Sequence, residues 1–175
     1  LLRPHHIGIG LYNRTGSVIK RDRRIEIDVD GARTEVPELI GQPAADLLLL
    51  NDGDYTFVKI RLDEKSAKTS ATGLRDIEDS VSRALIWGAA WDMTRDAEMS
   101  TGDFVALVEQ GLPHESDVGV VQQVLRRCCE VNAVQPGILG LHGTATETND
   151  LVEARGVCLA GLSDVAECYA TKGST

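Results

Sequence analysis

Histidines are the side chains best suited to bind a metal or to transfer protons, but the spacing of the four in this chain favours neither role. His5 and His6 are adjacent on a predicted strand, so their side chains point to opposite faces and cannot easily share a metal. His114 and Glu115 precede a predicted helix, where the glutamate complements the helix dipole. Neither these residues nor His142 fit the His-Glu-x-x-His pattern of zinc enzymes. We therefore expect structural or surface roles for them.

The tetrapeptide Asn51-Asp52-Gly53-Asp54 resembles the start of a calcium-binding loop in the spacing of its oxygen atoms. The glutamate expected at the twelfth position of such a loop is replaced by Leu62, and the flanking residues are strand-like rather than helical. We therefore interpret the tetrapeptide as a solvated hairpin turn.

Asp92, Asp96 and Glu98 form a second acidic group, with Arg95 among them. On a helix, residues four apart share a face, and Arg95 offers local pairing to the neighbouring carboxylates. We interpret the group as the charged end of a helix and not as a carboxylate site.

The cysteines do not have the spacing of zinc ligands, and reduced thiols are the expected state. The sequence contains no Gly-x-Ser-x-Gly elbow, no phosphate-binding loop and no dinucleotide-binding fingerprint. The residues alone therefore predict no catalytic, cofactor-binding or metal-binding side chain in this chain. The four cysteines are Cys128, Cys129, Cys158 and Cys168.

The composition is that of a globular protein, with 42% hydrophobic and 26% charged residues. The 18 basic and 27 acidic side chains give a formal net charge of −9, which disfavours nucleic acid and anionic membranes as partners. The longest apolar run, residues 84–91, is too short to span a bilayer and is typical of a buried helix. The chain starts at Leu1 without the features of a signal peptide, so we expect a cytoplasmic piece of a longer protein.

The first third of the chain has the period-two alternation of half-buried strands, interrupted by Asp30-Gly31 and Asp52-Gly53 turns. Residues 47–50, four consecutive leucines, predict a strand buried on both faces. These segments predict a small antiparallel β-sandwich. The alternating runs are residues 7–11, 25–29 and 57–62.

From about Glu64 the pattern becomes helical. One stripe of the first long helix is predicted to contain Val81, Ala84, Leu85, Gly88 and Ala89, and the flanking Ile86, Trp87 and Trp91 make this helix central in its layer.

Two shorter helices are predicted after it. One begins near Ser100, turns Phe104, Leu107 and Val108 inward, and ends at Gly111. The next follows Ser116, with an inward face formed by Val120, Val121, Val124 and Leu125.

The sequence thus predicts an α+β chain in which a small antiparallel β-sandwich is followed by an α-helical domain of stacked helix pairs. The predicted domains are a β-sandwich at residues 1–63, the start of a helical domain at 64–135 and a divergent tail at 136–175. In the tail, a short helix is expected at residues 151–154 or 164–170.

Several stretches together resemble the C-terminal region of actinobacterial aminopeptidase N, a family of zinc gluzincin aminopeptidases. The most specific is residues 91–98, Trp-Asp-Met-Thr-Arg-Asp-Ala-Glu, and the resemblance extends from about residue 1 to 127. The tail beyond Cys128 does not match. The stretches are residues 2–12, 35–41, 47–63, 80–87, 89–99 and 116–122.

The resemblance implies that the parent protein is a zinc-dependent hydrolase that removes single N-terminal residues from peptides. In that family, the zinc-binding His-Glu-x-x-His and the amine-binding Gly-x-Met-Glu-Asn segments lie upstream of the matching region, and this chain contains neither motif. The expected role is therefore to pack on the catalytic domain and to help enclose the peptide chamber, without activity of its own. The expected partners are that catalytic domain and, in the parent, the peptide substrate.

Two other hypotheses remain open from the sequence. In the first, the chain is a free-standing helical module for protein interaction without peptidase activity. In the second, it is a redox or metal protein that uses its cysteines.

Overall fold

The computed structural model describes residues 3–133, with side chains described as far as residue 128. The predicted α+β class is confirmed, because a three-stranded antiparallel sheet is followed by four α-helices in these residues. The predicted tail and its helices lie outside the described residues. The elements are β1 (His5–Thr15), β2 (Val18–Val29), β3 (Leu47–Leu50), α1 (Glu64–Gly73), α2 (Ser80–Arg95), α3 (Thr101–Gly111) and α4 (Val118–Ala133).

The sheet has the strand order β2-β1-β3, with β1 antiparallel to both neighbours. A tight turn at Gly16 (φ +63°) joins β1 to β2, which fits the freedom of glycine in left-handed conformations. Within residues 3–133 we find this single sheet and no second layer of strands. The predicted strand at residues 57–62 is wrong, because that segment enters no ladder among the described residues.

One face of the sheet is apolar and lies under the connection between β2 and β3. Its centre consists of Ile9, Leu11 and Ile25, which come together because Ile9 pairs with Ile25 across the two strands. Side chains from the connection and from β3 pack on them and keep water out. These half-buried side chains include Val36, Leu39, Ala45, Leu48 and Leu50.

The opposite face of the sheet carries Gly8, Gly10 and Tyr12, which alternate along β1 with the isoleucines. Leu47 and Leu49 of β3 belong to this face and are fully buried. Since the alternate leucines of β3 pack on the other face, the prediction of a strand covered on both sides is confirmed.

Helix α1 covers the outer edge of β3 with small polar side chains. The Leu48 amide donates to Ser66 Oγ at 2.8 Å, and Thr69 Oγ1 donates to the Asp46 carbonyl at 2.6 Å. Asp63 caps the helix, because its Oδ1 accepts a hydrogen bond from the Ser66 amide at 3.0 Å. These bonds satisfy main-chain groups that an edge strand would otherwise leave open.

Helix α2 buries a different stripe from the one predicted. Val81 is 42% exposed, and Ala84, Leu85 and Gly88 are half-buried; Ala89 alone of the predicted stripe is buried. The helix turns Ser82 toward the sheet, because that hydroxyl joins a buried polar cluster, and this rotates the buried stripe by about one residue. The buried residues of α2 are Ser82, Arg83, Ile86, Trp87, Ala89, Ala90 and Thr94.

The predictions for α3 are confirmed: the helix starts just after Ser100, ends at Gly111 and buries Phe104, Leu107 and Val108.

The inward face predicted for α4 is confirmed in its centre, where Val121 and Val124 are buried while Val120 and Leu125 are half-buried. Its cap is Asp117, since Asp117 Oδ1 accepts a hydrogen bond from the amide of Val120 at 3.1 Å.

The chain divides into two compact units, Leu1–Ser100 and Thr101–Thr175. The first unit contains the sheet together with α1 and α2, and the described part of the second contains α3 and α4. The domain division at residues 63 and 135 stays a prediction. None of the described helices has the length and apolar character needed to cross a bilayer.

The close approach at Gly8 gives a first test. A Cβ at Gly8 would lie 2.5 Å from the Asp52 carbonyl oxygen, whereas a Cβ at Gly88, inside α2, would meet nothing within 4 Å. We expect Gly8→Ala to lower the free energy of unfolding by about 1–3 kcal/mol through overpacking. We expect Gly88→Ala to raise it by about 0.5–1 kcal/mol through helix propensity. Urea denaturation of both variants checks the pair, and equal effects would contradict the packing described here.

Candidate functional site

The turn after β3 is buried at Asn51 and Asp52 and exposed at Asp54, so its interpretation as a solvated hairpin turn is wrong for its first half. Asn51 and Asp52 are 1% and 0% exposed, and Asn51 and Asp54 adopt left-handed φ angles of 55° and 54°. Asparagine and aspartate tolerate this conformation better than most residues. Asn51 also closes the turn, because its Nδ2 donates to the Thr56 carbonyl at 2.8 Å.

Asp52 is the centre of a buried polar cluster, which we define as Tyr12, Arg21, Arg24, Asp52 and Ser82. Tyr12 donates its hydroxyl proton to Asp52 Oδ1 at 2.6 Å, and Arg21 Nη1 donates to Oδ2 at 2.8 Å. Arg24 Nε lies 3.7 Å from the same Oδ2. Two cations and a hydroxyl thus surround one carboxylate, which is the arrangement that a buried charge requires.

Ser82 connects this cluster to the start of α2. Its Oγ lies 2.6 Å from the Tyr12 hydroxyl, and its amide donates to Asp79, the cap of the helix, at 2.9 Å. Burial and the hydrogen bond to Asp52 raise the pKa of Tyr12, so the phenol stays protonated. Burial also raises the pKa of Asp79, but hydrogen bonds from the Ser82 side chain and amide outweigh it and hold that pKa below its ordinary value.

Arg24 lies in a space that glycines keep open. A Cβ at Gly8 would come 2.7 Å from Arg24 Nε, and one at Gly53 would come 3.3 Å from Nη2. The guanidinium stacks over the Tyr55 ring at 4.5 Å from its centroid. Its Nε and Nη2 are shielded from solvent and make no hydrogen bond within the described residues, although Nη2 is 3.4 Å from Glu26.

A shallow cleft of about 470 Å³ opens beside the cluster. His5 and His6 both line it, although their neighbouring positions on β1 predict opposite faces, and their ring nitrogens bind different partners. His5 Nδ1 is 3.0 Å from Thr56 Oγ1, and His6 Nδ1 is 2.7 Å from Asp28 Oδ1. The hydrogen bond to Asp28 raises the pKa of His6. The cleft is lined by Pro4, His5, His6, Glu26, Tyr55 and Thr56.

The acidic group at the end of α2 is a network of ion pairs, as the interpretation of a charged helix end requires. Arg95 Nη2 lies 3.2 Å from Asp92 Oδ1. Partners that the sequence did not reveal come from the segment before α1: Lys59 Nζ is 2.6 Å from Asp96, and Arg61 pairs with both Asp96 and Glu98. The hydrogen bond from Lys59 lowers the pKa of Asp96.

The remaining candidates have structural roles where they are described. Glu115 Oε1 accepts hydrogen bonds from the amides of Ser116 and Asp117 at 2.9 and 3.2 Å, so the glutamate orders the turn before α4; its effect on the helix dipole stays a prediction. Cys128 is buried in α4. The side chains of the other three cysteines, and His142, lie outside the described residues.

The described residues do not fit a zinc ion. Between residues 3 and 128 no three His, Cys, Asp or Glu side chains come together in a way that would hold a metal. His5 and His6 line the same cleft, but their Nδ1 atoms are engaged by Thr56 and Asp28, respectively.

The chemistry of the cluster is structural. Asp52 has no solvent exposure and therefore cannot reach a substrate. The sequence pattern did not identify Tyr12, Arg21 and Ser82 as partners in the Asp52 cluster. A signal was present in the alternation Gly8-x-Gly10-x-Tyr12, because glycines at alternate positions of one strand face leave room for another group.

Comparisons with known proteins connect this arrangement to a family. Residues 47–134 match the model of a family described as the ERAP1-like C-terminal domain. The chain is also 50% identical over 127 residues to Aminopeptidase N of Streptomyces lividans. That alignment covers 72% of this chain but 15% of the relative, so the chain spans a small part of the length of the protein that it matches.

Removal of the charge of Asp52 tests the cluster. Asp52→Asn removes the counter-charge of Arg21 and one of the two carboxylates beside Arg24, so we expect a loss of about 2 kcal/mol in the free energy of unfolding. Asp54→Asn, the same change on an exposed side chain two residues away, is the matched control. Guanidinium denaturation should separate the two variants, and similar stabilities would show that the cluster does not depend on the charge.

The Asp79 cap gives a pH-dependent test. Because its pKa is lowered in the folded state, its contribution is complete above the ordinary pKa of aspartate and is lost as the pH falls through the folded value. We expect Asp79→Ala to cost about 1 kcal/mol at neutral pH and less in acid. Unfolding measured from pH 7 to acid, with Glu109→Ala on the exposed face of α3 as control, checks this; a difference that stays constant with pH would contradict it.

Proposed function

This chain belongs to the ERAP1-like C-terminal domain family, and on that premise we propose that it is the part of a zinc-dependent aminopeptidase that packs on the catalytic domain and helps to enclose the peptide chamber. In this proposal the parent removes single N-terminal residues from peptides. The chain itself supplies support and not chemistry.

The observation that carries the proposal is the similarity to Aminopeptidase N of Streptomyces lividans, at 50% identity over 127 residues. The family match covers residues 47–134, which include β3, the turn at Asp52 and all four helices. The family match therefore includes Asp52 and Ser82 of the junction between the sheet and α2, whereas Tyr12 and Arg21 precede the matched residues.

The proposed supporting role agrees with the character of that junction. Asp52 binds Tyr12 of β1 and Arg21 of β2, and Tyr12 reaches Ser82 of α2. A network that crosses strands, turn and helix resists hinge motion, since bending would expose or unpair a buried charge. A wall of a closed chamber needs such stiffness.

We assign zinc to the catalytic domain of the proposed parent; this agrees with residues 3–128, where no three His, Cys, Asp or Glu side chains come together as metal ligands. The same holds for the peptide substrate, whose chamber the chain would only border. A cytoplasmic location and the absence of nucleic-acid or membrane partners stay predictions.

A chimeric enzyme tests the proposal. The chain replaces its 127-residue counterpart in Streptomyces lividans Aminopeptidase N, and cleavage of N-terminal residues from short peptides is measured. We expect the chimera to be active and the enzyme that lacks the counterpart altogether to be inactive or poorly folded. The chimera that also carries Asp54→Asn, a substitution of an exposed side chain, shows how much activity a neutral change in the graft costs.

An inactive chimera whose circular dichroism shows a folded protein would contradict the proposal. The outcome would then favour the free-standing interaction module, provided that the isolated chain also folds cooperatively and stays monomeric in light scattering.

A further inference from the structure

The segment between the Asp52 turn and α1 presents an aromatic side chain entirely to solvent. Phe57 is 104% exposed, and Tyr55 and Val58 beside it are 56% and 39% exposed. Isolated exposed apolar residues are common on protein surfaces. A fully exposed phenylalanine between two other exposed apolar residues is much less common on protein surfaces. Such a group is typical of an interaction site.

The second half of the same segment has the burial pattern of a β-strand. Ile60 and Leu62 are each 7% exposed and belong to the buried core. Phe57, Lys59 and Arg61 alternate with them and are more exposed. This period of two explains why the sequence predicts a strand at residues 57–62. Lys59 and Arg61 are paired with carboxylates at the end of α2, so Phe57 and Val58 are the apolar side chains that the segment leaves uncovered.

The main chain of the segment lacks strand partners. Within the described part of the chain, the amides of residues 57–62 donate no main-chain hydrogen bond, and their carbonyls accept none from another main-chain amide. The Ile60 carbonyl receives only the neighbouring Arg61 side chain, at 3.1 Å. A row of open main-chain groups is a template for another strand.

Side chains on both sides hold the segment in place. Asn51 binds the main chain of Thr56 at its start, and Asp63 caps α1 at its end. Lys59 and Arg61 are held by carboxylates at the end of α2. Because these cations are already neutralised, they do not give the edge the free charge with which natural proteins repel other strands.

We propose that residues 57–62 form a docking edge for an extended segment of the catalytic part of the parent aminopeptidase, which adds a strand by main-chain hydrogen bonds and covers Phe57. This inference rests on the proposed function. The occupant is taken from the parent because this chain represents 15% of the length of its relative, so most of such a protein lies outside the chain and is available to cover this edge. Strand addition of this type combines main-chain bonding with a pocket for an alternate side chain.

Hydrogen exchange of the amides of residues 57–62 tests the inference directly. We compare the isolated 175-residue chain with the active chimera described above. In the isolated chain we expect these amides to exchange almost as fast as in a peptide. In the chimera we expect exchange to be slower by roughly 100-fold, as for amides of a paired strand.

Phe57→Ala provides a second readout, with Ile40→Ala as the matched control because Ile40 is also exposed, at 77%. In the isolated chain neither substitution should change the midpoint of thermal unfolding, since neither side chain is packed. In the chimera Phe57→Ala should lower the midpoint and Ile40→Ala should leave it unchanged.

The outcomes separate the two proposals. An inactive, folded chimera contradicts the proposed function and the docking edge with it. An active chimera in which residues 57–62 remain unprotected, and in which Phe57→Ala behaves like Ile40→Ala, overturns the docking edge alone. Protection that is already present in the isolated chain, together with a dimer in light scattering, would show that a second copy is the occupant and would also overturn the inference.

Discussion

A carboxylate that is removed from water must be paired inside the protein, because its desolvation otherwise costs several kcal/mol. In this chain that carboxylate is Asp52, and its requirement organises the first unit. Arg21 supplies the counter-charge from β2, Tyr12 supplies a hydroxyl from β1, and Ser82 extends the network to α2. Three features bring these groups together: the rotation of α2, the small residues on one face of β1 and the left-handed turn after β3.

Local periodicity was sufficient to predict the class of the fold and most of its elements. β1, β2, β3, α3 and α4 follow directly from alternation or helical stripes, because their burial is decided by neighbours of the same type. The prediction failed where a distant polar group decided the outcome. The stripe of α2 was misplaced because serine counts as polar in a hydrophobic pattern, although Ser82 is buried by Tyr12.

The two other errors have the same origin. Asp52 was read as a solvated residue since nothing in the local sequence reveals that Arg21 and Arg24 meet it. Residues 57–62 have a sequence typical of a strand, but whether a strand pairs is decided by its neighbours and not by its own residues.

Function was harder to predict than the fold, because the residues contain no recognisable active site. The resemblance to the family is instead most specific at residues 91–98, a long stretch that indicates the family although it contains no active-site motif.

The distance along the chain between the members of the cluster has a consequence for biosynthesis. Tyr12 and Asp52 are 40 residues apart, and Tyr12 and Ser82 are 70 apart. As the polypeptide leaves the ribosome, the β1–β2 hairpin emerges long before the residues that complete its buried face. In the hairpin, Arg21 and Arg24 therefore lack the Asp52 carboxylate until that residue has been translated. The buried face of the sheet is covered only when the start of α2 has been translated as well. Completion of the buried face should accordingly follow the emergence of the start of α2 and not that of the sheet alone.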